Sequence, residues 1–154
     1  MRIANTRHRP VLFAVLLFFL VSPASSTIAQ TVTGVWQQID PATGKVGALV
    51  TFAENGGIFS GFISQLFPDP GDDPNPLCHQ CPGIERDKPI LGLTFIQGMR
   101  RSGLVYEGGT ILDPDSGTLY SANMQLSPDG NTLTVRGYVG ITLFGQNQTW
   151  KRVQ

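Results

Sequence analysis

The chain has 154 residues, 41% hydrophobic and only 14% charged, with 18 Gly, 11 Pro and 11 basic against 11 acidic side chains. That length holds one domain, and so few charges exclude a disordered acidic or basic chain. No triplet, heptad or basic block is present, which excludes collagen, a coiled coil and a nucleic-acid-binding tail.

Arg2, Arg7 and Arg9 precede an unbroken apolar run from Val11 to Val21. Pro23 ends the run, and small residues lead to Thr27-Ile28-Ala29. A positive region, an apolar region and a small-residue site define a secretory signal, here residues 1–29, cut between Ala29 and Gln30. The apolar run is only about half as long as a bilayer-spanning helix needs, so no transmembrane segment is expected after cleavage. No Cys lies near the cut, which argues against a lipid anchor. The expected location is the periplasm or the medium. From residue 30 onward, eight basic side chains face eleven acidic ones, a formal charge of −3. An acidic domain gains nothing by counterion release, so neither nucleic acid nor an anionic membrane surface is an expected partner.

From residue 30 onward no window carries an apolar stripe at helical spacing. Short β-rich runs alternate with turn chemistry at Asp40–Gly44, Asn55-Gly56, Asp113–Gly117 and Ser127–Asn131. The strands read from the pattern are 34–39, 45–54, 57–67, 93–99, 104–112, 118–127, 132–139 and 141–153. Register follows from requiring apolar faces to agree across each turn. Leu126 then opposes Leu133, Met124 opposes Val135, Ala122 opposes Gly137 and Tyr120 opposes Val139. A two-residue turn at Asn55-Gly56 sets Phe52 against Phe59 and Val50 against Gly61. Three-residue loops at 41–43 and 114–116 set Trp36 against Ala48 and place Leu104, Tyr106, Gly108 and Thr110 beside the strand from Leu126 to Tyr120. These registers turn Trp36, Phe52, Phe59, Ile63, Tyr120, Met124 and Val135 inward and Glu107 outward. Eight antiparallel strands joined by tight hairpins imply one up-and-down β-barrel spanning residues 30–154, with a two-sheet sandwich as the alternative.

The pentapeptide Asp-Pro-x-Thr/Ser-Gly occurs at both Asp40 and Asp113. A repeated turn geometry explains it better than a repeated ligand site, because one Asp without a second nearby carboxylate is a poor metal site. The one long connection, 68–92, is rich in Pro and Asp and contains both cysteines, Cys78 and Cys81. In an oxidising compartment a disulfide is the expectation. The four-residue loop it closes gives only about 2 kcal/mol, so it shapes the loop rather than the domain. A redox pair would want a following helix, and Pro74, Pro76 and Pro82 crowd the motif instead. A zinc site using His79 with Asp72 or Asp73 lacks a second Cys pair, and no metal or other cofactor is expected.

Catalytic signatures are sparse. His79 is the only histidine after residue 29, no nucleophile elbow or phosphate-binding glycine loop is present, and Glu54, Glu107, Asp113 and Asp115 have no sequence reason to pair. A hydrolase built on converging carboxylates is the minor alternative to a protein without catalysis.

Gly34-Val35-Trp36, Asp40–Lys45, Cys78–Gly83, Asp87–Gly92, Gly108–Pro114, Tyr120, Val135–Tyr138 and Trp150–Val153 follow one another in order. Together they resemble the exported bacterial family called domain of unknown function 2147, over essentially all of residues 33–153. The resemblance implies a lipocalin-like barrel in the envelope of Gram-negative bacteria, with no assigned activity. It also implies an Arg near the last strand covering Trp36, a role open to Arg136 or Arg152. The expected role is binding of a small apolar or amphipathic ligand among Trp36, Phe52, Phe59, Tyr106, Tyr120 and Met124, with space left by Gly61, Ala48, Ala122, Gly137 and Gly108 and polar contacts from Tyr120 and Gln38. The alternative is a filled barrel whose loop 68–92 recognises an envelope protein. Expressed in full in a Gram-negative host, the exported protein is expected to begin at Gln30. Intact-mass measurement checks this, and exported material that retains Met1 contradicts the reading.

Overall fold

A computed structural model describes residues 30–140 and 145–153. The expected leader with its cut after Ala29, and the first residues of the strand expected at 141–153, lie outside them. Eight strands run in chain order: β1 Gly34–Ile39, β2 Val46–Asn55, β3 Ile58–Leu66, β4 Thr94–Ser102, β5 Val105–Leu112, β6 Leu119–Leu126, β7 Thr132–Tyr138 and β8 Gln146–Arg152. Each pairs antiparallel with its neighbour, and β1 closes on β8 through Trp36 opposite Arg152 and Gln37 opposite Lys151. That closure leaves no free sheet edge and excludes the two-sheet sandwich.

The β6–β7 hairpin has the register expected from its apolar alternation, with Leu126, Met124 and Ala122 opposite Leu133, Val135 and Gly137. Three other hairpins depart from expectation, and the turns explain why. Asn55 pairs with Ile58, so the β2–β3 turn is Gly56-Gly57, both at positive φ, rather than Asn55-Gly56. A tight hairpin turn of that hand needs two left-handed residues, which two glycines supply without strain. Phe52 therefore opposes Gly61 rather than Phe59. At the β1–β2 turn the Asp40 and Lys45 backbones pair, making the loop four residues long, and a bulge follows at Gln38/Ile39. Trp36 consequently opposes Val50, not Ala48. In β5 an irregularity between Tyr106 and Gly109 puts Gly109, rather than Gly108, opposite Ala122, and sets Ile111 beside Tyr120. The first two shifts move the pairing by two residues, and side chains in a strand alternate with that period. The inward face is therefore conserved although the partners change.

The core is continuous and densest at one end of the barrel. Trp36, Phe52, Phe59, Met99, Tyr106, Met124 and Leu133 are all buried there. Phe59 meets the Tyr106 ring edge-on, centroids 5.0 Å apart. Beneath them the segment Gln30–Thr33 crosses the barrel end and seals it. Its carbonyls and amides are nearly all spoken for. The Tyr106 hydroxyl accepts from the Val32 amide at 2.9 Å, and the Trp36 indole donates to the Val32 carbonyl at 2.8 Å. Arg152 donates to the carbonyls of Thr31, Thr33 and Gly130 at 2.7, 2.9 and 2.6 Å, while its guanidinium carbon stands 4.2 Å over the Trp36 ring. Arg101 donates to the Gln30 carbonyl at 2.6 Å. The cover of Trp36 is therefore Arg152. Arg136 points elsewhere, to the Asn147 side chain at 2.7 Å.

Among the described residues no carboxylate pairs with Arg152, and burial draws its guanidinium below the ordinary arginine range. Its charge is met by carbonyl dipoles and an aromatic face, an arrangement that needs a planar fork with several fixed donors. A lysine at this position reaches one carbonyl and leaves two unmet. Arg152→Lys should lower stability by about 2–3 kcal/mol, the value of charge-assisted hydrogen bonds lost from a partly buried site. Urea unfolding measures this, and hydrogen exchange at the Val32 amide should accelerate in the variant. Unchanged stability and exchange would mean that the seal does not depend on the guanidinium.

Candidate functional site

At the opposite end the barrel opens into a cavity of about 600 Å³. Its walls come from the mouth-side halves of the strands. Ala48, Val50, Ile63 and Leu66 line it from β2 and β3, Phe95 and Ile111 from β4 and β5, and Val135 and Gly137 from β7. Trp150 of β8 lies at the floor, its ring 6.3 Å from those of Phe52 and Phe95. This indole therefore separates the open chamber from the packed base.

The polar part of the lining is confined to two places. On the wall, the Trp150 indole donates to Gln148 Oε1 at 3.0 Å, and Gln38 Nε2 donates to the same oxygen at 3.4 Å. With its oxygen accepting twice, the Gln148 amide is oriented so that its NH₂ group remains to donate. At the mouth stand Asp113, Asp115, Tyr120, Tyr138 and Gln146. No lysine, arginine or histidine lines the cavity among the described residues.

Among the described residues, the β1–β2 and β5–β6 hairpins, the long loop, and Val139 and Gln146 beside the ends of β7 and β8 stand at the mouth. Both Asp-Pro-x-Thr/Ser-Gly turns adopt one geometry. In the first, Asp40 Oδ1 accepts from the amides of Ala42 and Thr43 at 2.7 and 3.1 Å, and the Gly44 amide donates to the Asp40 carbonyl at 2.8 Å. In the second, Asp113 Oδ1 accepts from the Asp115 amide at 3.0 Å, and the Gly117 amide donates to the Asp113 carbonyl at 2.8 Å. The repeat is a repeated turn, as its local chemistry predicts. Among the described residues no group of His, Cys, Asp and Glu is arranged to hold a metal.

The loop 68–92 folds back over this rim rather than leaving it. The Cys78 amide donates to the Lys88 carbonyl at 2.8 Å, the Ile90 amide to the Pro76 carbonyl at 2.9 Å, and Pro76 and Ile90 join the cavity lining. Cys78 and Cys81 form a disulfide and are fully buried. Cys78 Sγ lies 3.3 Å from the Pro114 carbonyl oxygen, so the clip seats the loop on the β5–β6 hairpin. Lys45 joins the loop to the β1–β2 hairpin through Asp69 at 2.7 Å, and that hydrogen bond raises the lysine's pKa above its usual value. His79 is exposed and bonds Asp87 at 2.7 Å, away from the cavity.

Of the six side chains expected to contact a ligand, Tyr120 lines the cavity. Trp36, Phe52, Phe59, Tyr106 and Met124 are buried together below it, in the sealed half. Of the small residues expected to leave space, Ala48 and Gly137 border the chamber, whereas the Phe52 ring fills the room beside Gly61. Trp150, Phe95 and Gln148 complete the chamber without having been expected. Their signal was the inward parity of β8 and β4, the two strands whose registers no hairpin turn had fixed in the sequence.

The paired hairpins provide an internal control. Gly44 and Gly117 both sit at left-handed φ, +71° and +68°, but a Cβ at Gly44 would meet nothing within 4 Å, whereas one at Gly117 would fall 1.8 Å from the Gln80 carbonyl oxygen. Gly44→Ala should therefore cost only the left-handed backbone penalty of about 1–2 kcal/mol. Gly117→Ala should cost about 1–3 kcal/mol more, because the loop must also shift off the hairpin. Equal losses on thermal or denaturant unfolding would mean that the loop does not press on the hairpin.

Comparison with known proteins agrees with this architecture. Residues 34–152 match the model of the family described as uncharacterized protein conserved in bacteria (DUF2147). No curated protein matches the chain. Among solved structures, the chain is similar to protein HP1028 from the human pathogen Helicobacter pylori, described as belonging to the lipocalin family. The TM-score is 0.68 at 20% identity, covering 80% of this chain and 84% of that one. At that identity the likeness establishes the fold.

Proposed function

The chain belongs to the bacterial family DUF2147, and we propose that it is an exported, non-catalytic envelope protein that holds a small apolar or amphipathic molecule in its barrel. The observation that carries this reading is the chamber of about 600 Å³ that the described residues form above the sealed base, most of its lining residues aliphatic or aromatic. Its volume, with an apolar wall and polar groups gathered near the mouth and around Gln148, is that of a small-molecule pocket able to take an amphipathic guest. Eight-stranded barrels either fill their interior or keep room for one ligand. This one does both, in successive halves.

Export is supported by the arginine-led apolar segment and by a buried disulfide, a bond that persists in oxidising compartments. The absence of catalysis is supported by the position of His79, the sole histidine after residue 29, on an exposed loop with Asp87 and outside the chamber. A second reading rests on the exterior of the same end. Ile84 is 81% exposed, and Phe67, Leu77 and Leu91 are also exposed on the connection from β3 to β4. Such a surface suits recognition of an envelope protein.

Native mass spectrometry of protein released from the periplasm separates the two. A co-purified mass that denaturation removes supports the ligand reading. A bare protein mass, unchanged after incubation with a soluble apolar probe such as dodecanol, would set that reading aside in favour of a protein partner.

A further inference from the structure

The charge around the mouth narrows the kind of molecule that the chamber would accept, an inference that rests on the ligand-binding reading. Every ionisable group in the described lining is a carboxylate or a phenol: Asp113, Asp115, Tyr120 and Tyr138. The asymmetry extends along the whole barrel. Among the described residues, every acidic side chain except Glu54, Glu107 and Asp129 lies on the mouth-side connections 40–45, 67–93 and 113–118. Those connections carry only Lys45, Arg86 and Lys88 as permanent cations. Lys45 is already paired with Asp69, and Lys88 with Glu85. Arg100, Arg101, Lys151 and Arg152 gather instead toward the sealed end, and Arg136, on the mouth-side half of β7, is outside the cavity lining and bonds Asn147. The barrel is thus electrically polarised, with its opening at the negative pole, and such a field concentrates cations at the entrance.

The local chemistry at the rim has the same sign. Asp113 spends its carboxylate on the turn, accepting from the Asp115 amide and the Ser116 hydroxyl. Asp115 is exposed and has no ion pair among the described residues. Aromatic rings beside carboxylates suit an alkylated ammonium, which is attracted by ring faces and by negative charge and needs no hydrogen-bond acceptor. A carboxylate-headed amphiphile would meet only like charge at the same place.

We propose that the chamber selects amphiphiles with a cationic head, an amine or quaternary ammonium on an apolar body, over their carboxylate counterparts, the body entering toward Trp150 and the head resting among Asp113, Asp115, Tyr120 and Tyr138. The test is calorimetric titration of the purified protein with dodecyltrimethylammonium, dodecanol and dodecanoate, the two ions below their micelle concentrations and the alcohol below its solubility limit. At low salt the ammonium should bind about tenfold or more tightly than the carboxylate, the scale of one charge contact of each sign in a largely aqueous setting. Added salt should narrow the difference, and so should Asp115→Asn, a change on an exposed turn remote from the core. Dodecanoate binding as tightly as the ammonium would overturn the inference while leaving the apolar chamber in place. Failure of all three probes, dodecanol included, would overturn the ligand-binding reading itself and this inference with it.

Discussion

A guanidinium 4.2 Å above an indole decides which end of this barrel is shut. Arg152 binds three carbonyls from two chain segments while its face covers Trp36, so one side chain joins the last strand, the first strand and the segment that precedes it. Among the described residues, carbonyl dipoles and a ring quadrupole satisfy the cation without a paired carboxylate. Because the base is sealed in this way, large side chains can fill the lower half, and the upper half need not be filled for the fold to hold. The mouth is thereby released from carrying the core.

Division of labour along the axis explains the placement of the other devices. The disulfide, the Lys45–Asp69 pair and the two matched turns all lie at the open end, where burial of apolar surface does least. Each fixes loop geometry locally. At the base, hydrogen bonds serve buried groups, and no buried side-chain nitrogen or oxygen is left unpaired among the described residues. One half is held by packing and the other by short-range constraints on the connections.

Much of the fold was legible because strand parity is robust. The β2–β3 turn moves from Asn55-Gly56 to Gly56-Gly57, and the Asp40 loop lengthens from three residues to four with a bulge beside it, yet Phe52 and Trp36 still point inward. The bulge near Gly108 was not legible, since a glycine in a strand marks either a bulge or a close approach. The candidate site was read less fully, for a geometric reason. Alternation separates inside from outside but carries no information on depth along the barrel axis. Trp36 and Tyr120 share an inward parity, and only the hairpin connectivity places one beneath the seal and the other at the mouth. Resolution of Arg152 against Arg136 likewise required the closing pair of strands, because the two residues lie on adjacent strands and only one reaches β1.

The closure of β1 on β8 also imposes an order on folding. Trp36 and Arg152 are partners across almost the whole described chain, while every other strand pairs with its immediate successor. Hairpins with short loops can form early, one after another, as the polypeptide emerges, whereas the closing contact carries the highest loop-closure cost and comes last. Until Arg152 is available, Trp36 has no cover and β1 presents an unpaired edge to any neighbouring chain. A chain halted anywhere short of β8 is therefore an open sheet with an exposed tryptophan, the form in which this protein is most vulnerable to aggregation and proteolysis. Its final strand acts as the checkpoint between that state and the finished barrel.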